Sequence, residues 1–505
     1  MYLCTSKREW DLCVFPKNVW HNPLMRLNGK NKKMNRGEHL HSELSVREVA
    51  EDLKTARELR KTLMRRLDLL LQAGCLLMES GADTTRVLRN MRRVAVWLGL
   101  DENYLHIVVN YEVLQVNYSD AAHSFTKFRS CLHHAINLAA ISEVSRLTWK
   151  AISEDYTLDQ FERDLHDIRN RARNYTPWMV AIGGGLACGG FCIQFGCDWM
   201  AFLLCSIAAI LALRLRQVLV AGGANGSIAI GCAAFAGTLL AWLSTFTGLS
   251  DTPWHPLLAC ALFIVPGVPL INFVSDMIDG YIDTGVIRAL HTLIMILAMS
   301  FGIALAIRVC GIDNFVRTLS LTPHHEYWEY AVAAAISAVG FSMIFNVQKR
   351  LLPVVAVGGV LAVCTRNFVN LGASSGNVGL DMGLVMGSLA GSSLVSIIAI
   401  QARHWFHTPH QCITIPSVIP MIPGVLMYRA LFAFIDMHGV VGEVTVAMNN
   451  AIQASLVILC IALGVAIPNI FVRRLNETRR QRKMREALIE RRRKSGDMAD
   501  LSVLS

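Results

Sequence analysis

Uncharged apolar runs recur from Trp178 to Val472, while the stretches on either side alternate charged and apolar residues. A helix needs about 20 apolar residues to cross the hydrocarbon of a bilayer, and on that length the runs predict about ten spans. In the first half they cover 178–197, 199–213, part of 225–250, 252–275 and 289–307; in the second, 330–348, 351–365, 382–402, 413–435 and 445–472. The second member of each half is short, with only 15 residues between charges. The fourth member of each is interrupted by proline, at Pro266-Gly267-Val268-Pro269 and at Pro420-Met421-Ile422-Pro423-Gly424.

Matching interruptions point to a repeat. At an offset of 157, Pro266, Gly267, Val268, Ile278, Asp279 and Gly285 fall on Pro423, Gly424, Val425, Ile435, Asp436 and Gly442. At an offset of 150, Trp178, Ala181, Gly190, Phe191 and Phe195 fall on Trp328, Ala331, Gly340, Phe341 and Phe345. Five spans per half is an odd number, so the second half enters the membrane from the opposite side. The fold expected is a polytopic α-helical membrane protein of two five-helix inverted repeats, an architecture suited to alternating access around a midplane site.

Composition agrees: the 505 residues are 53% hydrophobic and 17% charged, with a mean hydropathy of +0.40. The charge collects at the ends and divides the chain into a disordered basic leader (1–45), a small α+β domain (46–176), the two membrane repeats (177–311 and 327–472) and a basic tail (473–505). Arg214, Arg216, Arg288, Lys349, Arg350, Arg403 and the tail lie on one side of the spans, against little more than Arg308, Arg317 and Arg366 on the other. The positive-inside rule then places both termini in the cytoplasm of a multi-pass inner or plasma membrane protein. The leader lacks the apolar stretch of a secretory signal, and Met34 is an alternative start.

Within 46–176 the pattern predicts a helix over 47–80 with Leu63, Leu67, Leu70 and Leu71 on one face, broken by Gly81. Asp83 is placed to cap a second helix over 84–98. Strands are predicted over 105–118 and 124–128, then helices over about 135–153 and 158–170.

The stretch Leu71-Gln72-Ala73-Gly74-Cys75-Leu76-Leu77-Met78-Glu79-Ser80-Gly81-Ala82-Asp83-Thr84-Thr85-Arg86-Val87 and the following Met91-Arg92-Arg93-Val94-Ala95 closely resemble the N-terminal domain of the threonine/serine exporter family. Phe191-Cys192-Ile193-Gln194-Phe195-Gly196 in the first span resembles its companion hallmark, with Cys197 where many relatives carry glycine. The resemblance implies an exporter of small hydroxy amino acids driven by the proton motive force. Relatives split into two proteins are associated with dicarboxylates such as succinate, which leaves that cargo as an alternative.

Charge at membrane depth costs about 3 kcal/mol on insertion scales, which makes Asp276, Asp279, Asp381 and Asp436 the candidates for a coupling proton. Nearness to span ends favours a helix cap or an interfacial carboxylate for Asp276, Asp279 and Asp436, while at Asp381 the two readings balance. For the substrate path the candidates are Pro266, Gly267, Pro269, Asn272, Pro420, Pro423, Gly424 and Arg429. A restarted helix presents N–H groups that suit a carboxylate, glycine lets a ligand approach, and Asn272 and Arg429 each follow their break by six residues. Snorkelling, or a pair with Asp436, also accounts for Arg429. Asn225 and Asn377 join the path candidates, with polar contacts between helices as the alternative.

Several motifs point elsewhere. Gly183-Gly184-Gly185 lies in an apolar span and reads as close helix packing, and His404, His407 and His410 lack an acid or cysteine to complete a metal site. No metal or cofactor is expected, and the chain has no Gly-x-x-x-x-Gly-Lys-Ser/Thr nucleotide loop. The 14 cysteines are scattered without a Cys-x-x-Cys pair. Eleven Lys/Arg between 473 and 494 suit anionic lipid headgroups, and without interleaved aromatics they do not suit nucleic acid. Homo-oligomerisation is a further expectation. Two other functional classes are a channel, which needs no proton, and a membrane-tethered hydrolase using Ser80 with His106, His123, His133 or His134.

Overall fold

In the computed structural model, residues 36–119, 124–132, 134–154, 156–312, 326–372, 378–435 and 441–495 are described. Asn377, Asp436, His123, His133, His324, His325 and most of the leader lie outside them. Two compact units are distinguished, Met1–Met64 and Arg65–Ser505. In the first, the described residues are the leading part of helix α1 (Arg36–Glu79).

The second unit opens with the rest of α1, followed by α2 (Thr84–Trp97), strands β1 (Leu105–Val109), β2 (Val113–Ser119) and β3 (Ser124–Ser130), α3 (Leu138–Ser153) and α4 (Leu158–Asn170). The strands form an antiparallel sheet in the order β1-β2-β3. The single strand predicted over 105–118 is therefore a hairpin: Asn110, Tyr111 and Glu112 turn the chain, and the Asn110 N–H donates to the Val113 carbonyl at 3.0 Å. Leu67, Leu70, Leu71 and Leu77 are almost wholly buried, each stabilising the fold by about 1.5–3 kcal/mol through lost apolar surface. Gly74 lets α2 and β2 close onto α1, since a Cβ there would meet Met91 and Leu114. Gly81 ends α1 at φ +85°, a conformation cheap only for glycine. Asp83 stands at the start of α2 without capping it; its carboxylate pairs with Arg86 at 3.3 Å.

Among the described residues eight helices are long and apolar enough to cross a membrane, and a bent pair makes a ninth. The described residues are mostly helical, consistent with a polytopic helical membrane protein. The helices are α5 (Pro177–Gln194), α6 (Trp199–Ala221), α7 (Gly226–Thr245), the short α8 (Pro256–Ala259), α9 (Gly267–Ile278), α10 (Ile282–Val309), α11 (Tyr327–Ile344), α12 (Leu352–Asn370), α13 (Leu384–Phe406), α14 (Gln411–Val418), α15 (Gly424–Ile435) and α16 (Val441–Ser495). Two predicted spans end later than expected. The runs over 199–213 and 351–365 continue past their charges as α6 and α12, because a helix does not stop where an arginine begins. Long stems carry the charge aside, as Arg214 does by stacking on Trp178 at 4.7 Å. The tail is also helical, since α16 runs unbroken to Ser495 through residues of high helix propensity.

α5 and α11 pack through small residues. Gly190 faces Ala333 and Ser337, and Gly340 faces Gly183 and Ala187; each member of one set is the counterpart of one in the other at offset 150. Phe191 meets Phe341 edge-on at 5.6 Å, and Phe195 and Phe345 each stack 5.8 Å behind their own partner. Ser337 Oγ donates to the Ala187 carbonyl at 3.1 Å.

A Cβ at Gly340 would come within 2.7 Å of the Ala187 nitrogen, which is backbone and cannot swing aside. Gly340→Val is expected to destabilise the protein by about 1–3 kcal/mol or more, lowering the thermal midpoint of the detergent-purified protein. Gly226→Ala, which meets open space, should leave that midpoint unchanged. Equal midpoints for the two variants would contradict this packing.

Candidate functional site

Proline has no N–H and bars the preceding residue from the helical region, so both predicted breaks must leave the helix. They leave it by the same turn. The Gly267 N–H donates to the Val265 carbonyl at 2.8 Å, and the Gly424 N–H to the Ile422 carbonyl at 2.8 Å. Pro266 sits between at φ −77°, ψ 63°, the geometry of an inverse γ-turn. A 3₁₀ turn precedes each break, Leu262–Ile264 in one case and Ile419–Met421 in the other, and the second bends its span by 53°.

The breaks lie against each other. Gly267 faces Ile419 and Ile422, and Gly424 faces Leu262 and Val265. At offset 157, Leu262 and Val265 are the counterparts of Ile419 and Ile422, so the contact is reciprocal. Pro266, Gly267, Pro420, Pro423 and Gly424 are thus brought together, with Pro269 in the first turn of α9. The glycine N–H groups are occupied, and apolar side chains cover the approach that a ligand would need.

On one side of the breaks lies the segment that joins α1 to α2. Asn272 Nδ2 donates to the Gly81 carbonyl at 2.8 Å, Asp276 accepts the Thr84 N–H at 2.8 Å, and Thr85 Oγ1 donates to Asp279. Asp276 also pairs with Arg288 of α10 at 3.3 Å, both side chains being at most 3% exposed. Arg288 Nη2 donates to the Ala82 carbonyl at 3.2 Å. From the same segment Arg86 Nε donates to Gln411 Oε1, at the start of α14, at 2.7 Å. Nearby, the Leu138 N–H donates to the Phe345 carbonyl at 3.0 Å, and Asn346 Nδ2 to Asn137 Oδ1 at 2.8 Å. The segment around Gly81 therefore holds the helices that lead to both breaks, and a buried ion pair lies at its centre.

The other candidates are more dispersed. Asn225 caps α7, its Oδ1 accepting the Ser227 N–H at 2.9 Å. Asp381 is exposed in the connection before α13, at φ 56°. Arg429 lies on α15 with its Nε buried. Arg288, read from the sequence as a loop cation, was missed as a site residue. Its signal was faint: a lone arginine next to an apolar run looks like a flank, and only packing shows that Asp276 faces it. Around the pair, Tyr111 lies 5.3 Å from the Arg288 guanidinium and stacks on His134 at 4.0 Å. Burial lowers the His134 pKa to about 4. Among the described residues no cluster of His, Cys, Asp or Glu could hold a metal, and a groove of about 550 Å³ between α9, α10 and α16 is lined mainly by apolar side chains such as Leu270, Phe273 and Ile458.

Comparison with known proteins gives a consistent result. The ThrE threonine/serine exporter family model matches residues 68–310, and a second, "Threonine/Serine exporter, ThrE", matches 330–471. The chain is 30% identical over 252 residues to "Probable succinate transporter subunit YjjP" of Escherichia coli, covering 49% of this chain and 96% of that protein. It is 20% identical over 376 residues to "Probable threonine/serine exporter" of Mycobacterium tuberculosis, covering 73% of this chain and 70% of that one. No solved structure matches.

Two outcomes follow from the buried pair and its surroundings. Arg288→Met strands the Asp276 carboxylate, which is expected to cost about 3–5 kcal/mol and to speed amide exchange over 81–86. Asp276→Leu in the same chain should restore most of that loss, and additive losses in the double variant would refute the coupling. Because the folded-state pKa of His134 lies below its ordinary 6.5, only the unfolded chain takes up this proton as pH falls from 6.5 toward about 4. The stability linked to neutral His134 is complete above that window and declines through it. His134→Phe should flatten the thermal midpoint against pH over the same range.

Proposed function

The chain belongs to the threonine/serine exporter family, and from that premise we propose that it is a secondary active transporter exporting small hydroxy amino acids across the cytoplasmic membrane, driven by the proton gradient. The observation that carries this reading is the reciprocal contact between two matched helix breaks. Interrupted helices in corresponding positions of two halves mark the path in transporters built from inverted repeats. On this reading each broken segment counts as one span, making ten, five per half, and the excess of Lys and Arg puts both termini in the cytoplasm. The reciprocal glycine contacts at offsets 150 and 157 support the inverted repeat.

Residues 65–176 form the cytoplasmic face in this reading, and the closed breaks beneath Gly81–Arg86 correspond to a state shut toward the cytoplasm. Opening requires the segment to release α9 and α14. Asp276 is the preferred proton acceptor because one carboxylate joins the Gly81–Arg86 segment, α9 and α10, with Arg288 and Asp83 as the charges around it. Asp279 contributes to the same contact, while exposed Asp381 is less suited to coupling. The basic end of α16 would lie along anionic headgroups. Similarity to a protein named as a succinate transporter subunit favours dicarboxylates as the second reading.

Efflux of labelled threonine, serine and succinate from loaded cells tests the proposal. Uphill efflux of at least one solute is expected, abolished when the proton gradient is collapsed and strongly reduced in Asp276→Asn. Flux that runs only downhill and ignores both changes would identify a channel.

A further inference from the structure

Two arginines occupy equivalent places in the two halves. Arg216 on α6 and Arg366 on α12 are counterparts at offset 150, as are the amides that follow them, Gln217 and Asn367, and the glycines Gly222 and Gly372. Read from sequence as loop cations, both lie within helices. Arg366 donates from Nε and Nη2 to Asn367 Oδ1 at 3.1 and 3.0 Å. Its electrostatic neighbours are Tyr330, whose side chain is almost fully buried, and Cys364. The Arg216 Nε is buried without a hydrogen-bond partner, and the charge it feels is another cation, Arg173. Among the described residues no carboxylate offsets either guanidinium.

Their positions relative to the breaks also correspond. A Cβ on Gly391 would lie 2.5 Å from the Ala362 carbonyl and 3.0 Å from Met421 Sδ. One on Gly237 would lie 3.0 Å from Ala212 and 3.6 Å from Cys260 Sγ. Ala212 and Ala362 are themselves counterparts at offset 150, and each arginine follows its alanine by one helical turn, about 5.4 Å. Each therefore stands one turn beyond the point where its helix meets a neighbouring helix and the broken segment. Because the halves are inverted in the reading above, the two lie toward opposite faces of the membrane.

A partly buried guanidinium without an acid beside it is costly, and a carboxylate that accepts its planar pair of N–H groups removes most of that cost. We propose that Arg216 with Arg173, and Arg366 with Asn367 and Tyr330, are two carboxylate-binding sites on the transport path, the first serving loading from the cytoplasm and the second serving release. The inference rests on the transporter reading for its sidedness only. Hydroxy amino acids and dicarboxylates share the group recognised, so both fit.

The test uses the full-length protein purified in detergent, with threonine, serine, succinate and threoninol, which lacks the carboxylate, as probes of thermal stabilisation. Stabilisation by at least one carboxylate and none by threoninol is expected. Arg216→Gln and Arg366→Gln should each weaken the apparent affinity, by about tenfold or more for a lost charge-assisted pair; the double variant should lose the response, and the Lys variants should keep part of it. In the efflux assay Arg216→Gln should raise the half-saturating cytoplasmic concentration, with Arg216→Lys intermediate. A double Gln variant that is monodisperse and still responds like wild type overturns the sites, as does a wild type that responds to threoninol as strongly or to no carboxylate. If no solute is exported yet the carboxylate response disappears in the double variant, the transport reading fails and the sites stand.

Discussion

A helix broken inside the hydrocarbon leaves backbone groups without partners and without water to supply them, and the rest of this architecture answers that constraint. Each break recovers one bond through a γ-turn, from Val265 to Gly267 and from Ile422 to Gly424. The remaining exposure is removed by setting the two turns against each other, with Ile419 and Ile422 over Gly267 and Leu262 and Val265 over Gly424. Glycine is required at both places because a side chain would hold the turns apart.

The segment from Gly81 to Arg86 ties together the helices that flank the breaks. It contributes carbonyls from Gly81 and Ala82, N–H and hydroxyl groups from Thr84 and Thr85, and a guanidinium from Arg86. The bonds reach α9, α10 and α14, so one short loop spans helices of both halves. The buried Asp276–Arg288 pair makes the contact specific: removing one partner leaves a charge with no water around it, whereas neutralising both costs little. This explains why the most distinctive run in the sequence falls at a helix end, where a catalytic serine would be an odd occupant. Ser80 offers its carbonyl to the Asn137 N–H at 3.0 Å, a structural part in the same junction.

Legibility differed from element to element. The breaks were readable because proline acts through local sterics that no tertiary context repeals, and the helix predicted over 158–170 is α4, started by a capping box of Thr157 and Gln160. The hairpin turn at Asn110-Tyr111-Glu112 was missed, since Tyr and neighbouring valines carry strand propensity on both sides of it. Asn272, Asp276 and Asp279 were found as polar groups beside a break, yet their partners lie roughly 190 residues away in the chain. Arg216, Arg288 and Arg366 were passed over because charge was taken to end a span, while arginine stems allow helices to continue past it.

By itself, then, the sequence determined the membrane class, the order of the apolar segments, the positions of the two breaks and the family likeness. These rest on local quantities: hydropathy over a helix length, proline sterics and residue identity. The tertiary structure decided that the breaks face each other, that the Gly81 segment clasps their flanking helices, and that Asp276 pairs with Arg288. Those outcomes depend on which distant surfaces meet once helices pack, and a buried charge reveals its partner only when burial has brought the two together.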